Sequence, residues 1–372
     1  MHYIAVASDR HDTPNAIPST MSGMPESVEY VCLNGDMTDF DKETGKNAQK
    51  PYNTRTVLGE VQSVFPALDA SNVSIVYGSH DANATDDGKI IRCADTELLP
   101  NNVDYADYAE ISKGWSGPIF EGENDSYDIY GVSYYDMINA EAGQAAAAEF
   151  EHWVSGIDPA IPIILIGHVP IHKLRKDNKG ATYWNKALNY AATGSETPGS
   201  DASVIRDVAY LHGHNHTSES TEYFIQPGET MQAEGDDEAG TIYYTYITAG
   251  YLMSNYQASL IKINDTEIVF TKYKGDPDYV VDSEDSTKSA GEELGYLYRV
   301  YWPLEDVEEA ICALPEPVTV DDAEWINIVR ARFDALSEDQ KSTLEPGTKE
   351  KLSAAEAKLE TALVHALAKD VI

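Results

Sequence analysis

The sequence predicts a layered α/β domain followed by a small all-α module. Three observations carry that expectation. Five short β-branched runs each end in glycine or a turn and then in aspartate or histidine. Helix-forming or long polar stretches separate these runs. Beyond Pro303 the strand pattern gives way to helical spacing alone. At 372 residues the chain exceeds the usual size of one domain. The sequence therefore divides into a large domain over 1–302, a linker over 303–317 and a three-helix module over 318–372.

The first run, His2 to Ser8 (HYIAVAS), ends in Asp9-Arg10-His11-Asp12. The second, Glu29 to Asn34 (EYVCLN), ends in Gly35-Asp36-Met37-Thr38-Asp39. The third, Asn72 to Tyr77 (NVSIVY), ends in Gly78-Ser79-His80-Asp81. The fourth, Ile161 to Ile166 (IPIILI), ends in Gly167-His168-Val169-Pro170. The fifth, Val208 to Leu211, runs into His212-Gly213-His214-Asn215-His216. Glu141 to Ser155 reads as a helix with Ala146, Phe150, Trp153 and Val154 on one face. Asp39 to Thr56, Asn101 to Asp136 and Lys173 to Ser203 read as long loops. Glu222 to Ile225, Thr241 to Thr248, Gln257 to Ile263 and Glu267 to Lys274 alternate as strands do. They are expected to continue the sheet antiparallel, with a turn at Asn264-Asp265.

In the last segment Thr319 caps a helix carrying Ala323, Ile326, Val329, Phe333 and Leu336. Ser337 and Gln340 form a capping box for a second helix. After Pro346-Gly347, Thr348 opens a third with Leu352, Leu359, Leu363 and Leu367 on one side. This module holds no catalytic constellation and reads as a spacer, or as a contact to a surface or partner.

Charge excludes several classes of partner. The 63 acidic residues against 26 basic ones give a formal net charge of −37. Such a surface repels nucleic acid and anionic lipid. Cys32, Cys93 and Cys312 are too few and too scattered for a disulfide framework or a cysteine zinc site. No stretch approaches 18 apolar residues, so no membrane span is expected. No signal peptide is read, because the first strand starts almost at Met1.

The strand ends supply metal chemistry. His214 and His216 lie two residues apart, as do Asp9 and His11, so each pair can face one point. Asp36 follows at the next strand end, where a carboxylate can bridge two ions. With His168 these residues form a mixed nitrogen and oxygen set suited to manganese, iron or zinc rather than calcium. Six protein ligands exceed the four that one zinc takes, so two ions sharing Asp36 fit better. His80 reads either as a proton donor whose ring Asp81 orients, or as another ligand, or as a core histidine. His212 and His172 read as supporting or surface residues rather than ligands, and Asp39 as a residue that orients a ligand.

Taken in order, the five segments resemble the calcineurin-like metallophosphoesterase family, whose pattern is D-x-H, G-D, G-N-H-D, G-H and G-H-x-H. Here the pattern appears as Asp9-Arg10-His11, Gly35-Asp36, Gly78-Ser79-His80-Asp81, Gly167-His168 and Gly213-His214-Asn215-His216. The resemblance covers Tyr3 to about Lys274. It implies an α-β-β-α fold, a β-sandwich flanked by helices, with the site at one edge. It also implies a first metal held by Asp9, His11, Asp36 and His216, and a second held by Asp36, His168 and His214. Ser79 stands where the family has an asparagine that ligates the second metal. Arg10, in the variable slot of the first motif, is a candidate contact to a phosphate oxygen or a solvated arginine. The activity implied is hydrolysis of a small phosphomonoester or phosphodiester by two divalent or trivalent transition-metal ions. The second reading is a surface binding protein that keeps a degraded site. The helical segment resembles modules appended to secreted or surface enzymes of bacteria, which gives a secreted or cell-surface location as the expectation, with a cytoplasmic one as the alternative.

Overall fold

The computed structural model describes residues 1–37 apart from 12 and 14, then 53–84, 90–92, 112–113, 116–122, 126–173, 178–199, 202, 204–214, 224–264, 267–275 and 292–301. Further on it describes 304–323, 326–327, 329–330, 333, 341 and 344–369. Residues Met1–Val300 form one compact unit and Tyr301–Ile372 a second.

The first unit opens with β1 (His2–Ala7), α1 (Ala16–Met21), β2 (Tyr30–Leu33), α2 (Asn53–Val64), β3 (Val73–Val76), β4 (Ala82–Ala84), β5 (Ile90–Arg92) and β6 (Ser112–Lys113). Then come β7 (Gly117–Glu121), β8 (Asp128–Val132), α3 (Tyr134–Ile138), α4 (Ala140–Val154), β9 (Ile163–Gly167), α5 (Ala181–Thr193) and β10 (Val208–His212). The unit continues through β11 (Phe224–Ile225), β12 (Thr230–Met231), β13 (Gly240–Thr241), β14 (Thr245–Thr248), α6 (Leu252–Asn255), β15 (Gln257–Ile263), β16 (Glu267–Lys274) and β17 (Glu292–Tyr301).

Thirteen of these strands build two mixed sheets, while β4 with β5 and β12 with β13 form two small two-stranded ones. The larger has seven strands in the order β17-β16-β15-β1-β2-β3-β6, the other six in the order β11-β14-β10-β9-β8-β7. β1, β2 and β3 run parallel, as do β8, β9, β10 and β14. The alternation of strand side chains separates three cores. Ile4, Val6, Cys32, Val76, Ile164, Ile166 and Leu211 meet between the sheets. Ala5, Ala7, Val31, Leu33 and Ile75 turn the other way, onto Ile17 and Met21 of α1 and Val57 and Val61 of α2. On the opposite side, Val132, Ile163, Leu165 and Tyr210 pack on Phe150 and Val154 of α4 and Trp184 and Leu188 of α5. The result is a four-layer α-β-β-α sandwich, because every central strand is apolar on both faces and needs a cover on each.

Several local expectations change. Residues 117–132, expected as part of a loop, supply β7 and β8, and β8 pairs with β9 in the middle of a sheet. Asp128 and Gly131 made this stretch look like a turn. Gly131 faces the other sheet, where an added Cβ would come within 3.3 Å of the Val76 side chain across the sandwich. The expected loop over Lys173 to Ser203 contains α5, which buries Trp184, Ala187, Leu188 and Ala191 and closes at the left-handed Gly194. β14 joins β10 parallel rather than antiparallel. β15 and β16 do pair antiparallel, and β15 pairs antiparallel with β1. Asp265 of the expected turn lies outside the described residues.

In the second unit, α7 (Leu304–Cys312) occupies the stretch expected as a linker, and α8 (Thr348–Lys369) starts where Thr348 was expected to open a helix. Val307, Ile311 and Leu314 share one small core with Ile326, Val329, Phe333, Leu352 and Leu359. The stretch is helical because the apolar spacing of Val307, Ala310, Ile311 and Leu314 fits one helix face, buried here. Thr319 donates its N–H and hydroxyl to the Asp322 carboxylate at the start of the next turn. Ser337 and Gln340 lie outside the described residues. Among the described residues no helix is long and apolar enough to cross a membrane.

Candidate metal centre

The carboxyl ends of β1, β2 and β3 in one sheet meet those of β9 and β10 in the other. Backbone bonds hold the loops together: Asp9 N–H to Gly35 O at 3.1 Å, His11 N–H to Asp36 O at 2.8 Å, and Gly213 N–H to His168 O at 3.0 Å. Asn34 ties the two sheets, its amide donating to Leu211 O at 2.9 Å. Close approach fixes the glycines. A Cβ on Gly35 would meet Gly78 at 2.6 Å and the His168 ring at 2.8 Å, and one on Gly78 would meet the Asp36 carboxylate at 2.3 Å. A Cβ on Gly213 would overlap Ser8 Oγ at 1.7 Å.

The ligand loops have unusual backbones. Asp9, His11, Asp36 and His214 all have positive φ, at 52°, 48°, 52° and 73°. Aspartate and histidine tolerate the left-handed region better than most residues. Four of them converging on one spot mark strain held for a purpose.

Within these loops Asp36 is central and buried. His168 Nε2 lies 3.0 Å from Asp36 Oδ2, and His11 Nε2 lies 3.9 Å from the same oxygen. The His80 N–H donates to Asp36 Oδ1 at 2.7 Å, and Ser79 Oγ sits 3.3 Å from Oδ2. His214 Nδ1 is 3.0 Å from His168 Nε2, and the His214 N–H donates to Asp9 Oδ2 at 2.9 Å. Two ligand groups result, Asp9–His11–Asp36 and Asp36–His168–His214, each with its donor atoms within 4.8 Å of one another. Asp36 belongs to both.

A cation fits this donor set. His168 Nδ1 faces the Asn34 carbonyl at 2.7 Å and so carries a hydrogen. That leaves the Nε2 lone pair pointing at a carboxylate oxygen and at a second imidazole, a repulsive arrangement unless a proton or metal ion lies between. With no ion between them, the same arrangement favours a proton on the ring. Burial opposes charge on His168, but Asp36 and Asp9 outweigh it and push the imidazole up to about 9. Burial likewise opposes charge on Asp36, and the neighbouring His168, His80 and His11 outweigh it, holding the carboxyl far below the usual range.

The remaining expected residues are placed as follows. His80 is half-buried, its ring 4.7 Å from that of His11 in an edge-on contact. Asp81 accepts from the Met37 and Gly78 N–H groups at 3.1 and 2.9 Å, which ties the second and third motif loops together. Arg10, expected as a phosphate contact or a solvated arginine, is instead 1% exposed and bound to Glu60. The Glu60 carboxylate on α2 holds it inside, where a buried charge needs a partner. His212 and His172 are not on the surface. They are buried with Tyr246, whose ring lies 4.8 Å from His212 and whose hydroxyl is 2.7 Å from His172 Nδ1. His216 and Asp39 lie outside the described residues.

Three contributors escaped the sequence reading. The Asn34 carbonyl orients His168, and a backbone acceptor has no signature in sequence. Glu60 lies on α2, far from any motif. Tyr134, the first residue of α3, places its ring 6.4 Å from both His168 and His214 and forms a wall of the site. Its only signal was the Ser133 cap before it.

No protein-family model matches the chain, and no curated protein matches it. Among solved structures it is similar to Vps29 of Chaetomium thermophilum, at 10% identity over 82% of this chain and 99% of that one, with a TM-score of 0.32. It is also similar to a conserved uncharacterized protein of Streptococcus pneumoniae, a predicted phosphoesterase, at 11% identity over 78% and 96% of the two chains, with a TM-score of 0.30. Vps29 of Cryptosporidium parvum gives 12% identity over 79% and 98%, again with a TM-score of 0.30.

Proposed function

We propose that the chain is a metal-dependent phosphoesterase of the calcineurin-like kind, hydrolysing a small phosphomonoester or phosphodiester at two first-row transition-metal ions, manganese, iron or zinc. One observation carries the reading: Asp36 is common to two ligand groups that meet at it. Asp9, His11 and Asp36, with His216 by resemblance, would hold one ion. Asp36, His168 and His214 would hold the other, with the Ser79 hydroxyl at hand. Such a pair of ions supplies an activated water and neutralises phosphoryl oxygens.

The protein's own groups do the rest. Asn34 fixes the His168 ring so that Nε2 faces the centre. His80, half-buried against the His11 ring, would give a proton to the leaving oxygen as the ester P–O bond breaks. The water oxygen would bond to phosphorus and its proton pass to solvent, from which His80 is reprotonated, so ester and water become phosphate and alcohol. Tyr134 limits the space on the His168 side.

The test is to strip the purified chain of metal, titrate it with Mn²⁺, and follow p-nitrophenyl phosphate and its bis-ester. Uptake of two ions per chain with metal-dependent release of nitrophenol is expected. A chain that takes up no ion, or is inactive when loaded, overturns the reading.

A further inference from the structure

Arg10 and Glu60 form a buried ion pair that the chemistry above does not use. Arg10 Nε donates to Glu60 Oε2 at 3.0 Å and Nη2 to Oε1 at 2.6 Å, a two-pronged contact of the kind guanidinium makes best. Both side chains are almost fully buried. The third nitrogen, Nη1, turns to the backbone, donating to His11 O at 2.9 Å and more distantly to Met37 O at 3.5 Å. Glu60 Oε1 also accepts from Asn15 N–H at 3.2 Å, just beyond the first motif. One guanidinium thus reaches the carbonyl of a ligand residue, His11, and that of the residue after another, Asp36. Its carboxylate partner is fixed on α2, between Val57 and Val61 of the apolar core.

A buried ion pair is a weak device for stability, since apolar replacement of both partners is often neutral. Its placement here has a different consequence. His11 and Asp36 hold left-handed backbones that would relax if released. Arg10 grips the peptide that follows His11 in one loop and, at longer range, the carbonyl of Met37, one residue beyond Asp36, in the other. We infer that Arg10 and Glu60 are positioning residues for the metal centre, holding the first and second motif loops in ligating geometry from behind. This inference rests on the two-metal reading. It also predicts an asymmetry. The ion held by Asp9, His11 and Asp36 depends on this grip. The ion held by His168 and His214 shares only Asp36, whose loop is held by the longer contact.

Arg10→Met alone would leave the buried Glu60 carboxylate without its cation, with only the Asn15 N–H beside it, and risks unfolding. The variant to use is therefore Arg10→Met/Glu60→Met, in the full-length chain, with Mn²⁺ as the probe and binding read by calorimetry and electron paramagnetic resonance. It is compared with the parent in two backgrounds: His214→Ala, which leaves the Asp9–His11–Asp36 group, and His11→Ala, which leaves the Asp36–His168–His214 group and the Asp9 carboxylate that accepts from the His214 N–H. The expected result is about a 10- to 100-fold weaker Kd in the His214→Ala background, the usual cost of losing a group that orients ligands. In the His11→Ala background the change should stay within about threefold, with the circular dichroism spectrum unchanged in both. An unchanged Kd in the His214→Ala background overturns the inference. So does an equal loss in both backgrounds, which is what a mere fold staple would give. A wild-type chain that takes up no Mn²⁺ overturns the two-metal reading itself, and the inference with it.

Discussion

Replacing Asp36 by asparagine keeps the side chain's shape and removes its charge. If one carboxylate serves both ligand groups, Asp36→Asn should abolish hydrolysis and lower metal content at both positions. A variant retaining two ions per chain by elemental analysis would remove Asp36 from its shared place. His80 offers a different signature. His80→Ala should lower kcat about 10²- to 10⁴-fold with metal content intact, and the loss should shrink for aryl esters whose leaving groups need no proton. Equal losses on aryl and alkyl esters would show that His80 donates no proton. Ser79 lies beside Asp36 with a shorter reach than asparagine. Ser79→Asn should lower the Mn²⁺ concentration needed for half-maximal activity, an effect absent if Ser79 already serves as a full ligand.

At the scale of elements, the second unit carries the clearest prediction. α7 belongs to its core through Val307 and Ile311. A chain cut after Val318 would keep α7 without Ile326, Val329 and Leu352, and should aggregate more than one cut after Tyr301. Light scattering of the two truncations decides it, and equal solubility would show that α7 needs no cover. The same elements show what a sequence can and cannot disclose. The five ligand-bearing strand ends were legible because each apolar run stops at a glycine and then at a polar residue, within a few positions of the same string. Arg10 was misread because its partner is 50 residues away on a helix of unremarkable pattern. β8 was misread because Gly131 serves contact between sheets, while in the string it looks like a turn. The left-handed backbones of Asp9, His11, Asp36 and His214 follow from tertiary closure; aspartate and histidine permit them without marking them in the string.

For the whole molecule, charge and buried histidines set the working range. With a net charge of −37, self-repulsion disfavours the compact state. Raising KCl from about 0.01 M to about 1 M shortens the screening length from about 30 Å to about 3 Å. The melting temperature should therefore rise with salt, and an equal rise in a neutral osmolyte would remove charge as the cause. Acid acts the other way. Burial pushes His172 down to about 4 from an ordinary 6.5, and moves His212 in the same direction. Between those pH values the unfolded chain binds the additional proton. Stability should then fall as pH drops from 6.5 towards 4, by on the order of 3 kcal/mol for His172 alone. His172→Gln, which can still bond the Tyr246 hydroxyl, should flatten that fall in urea titrations at pH 7 and pH 4.5. An unaltered slope would assign the acid sensitivity elsewhere. A last consequence belongs to the four ligands with positive φ. Such a backbone costs an ordinary residue about 1–3 kcal/mol and glycine almost nothing. The same positions thus pull in two directions, towards holding an ion and towards a relaxed chain. A library ranked only by survival on heating would drift to glycine at 9, 11, 36 and 214, and its winners would be sturdier proteins with nowhere to seat a metal.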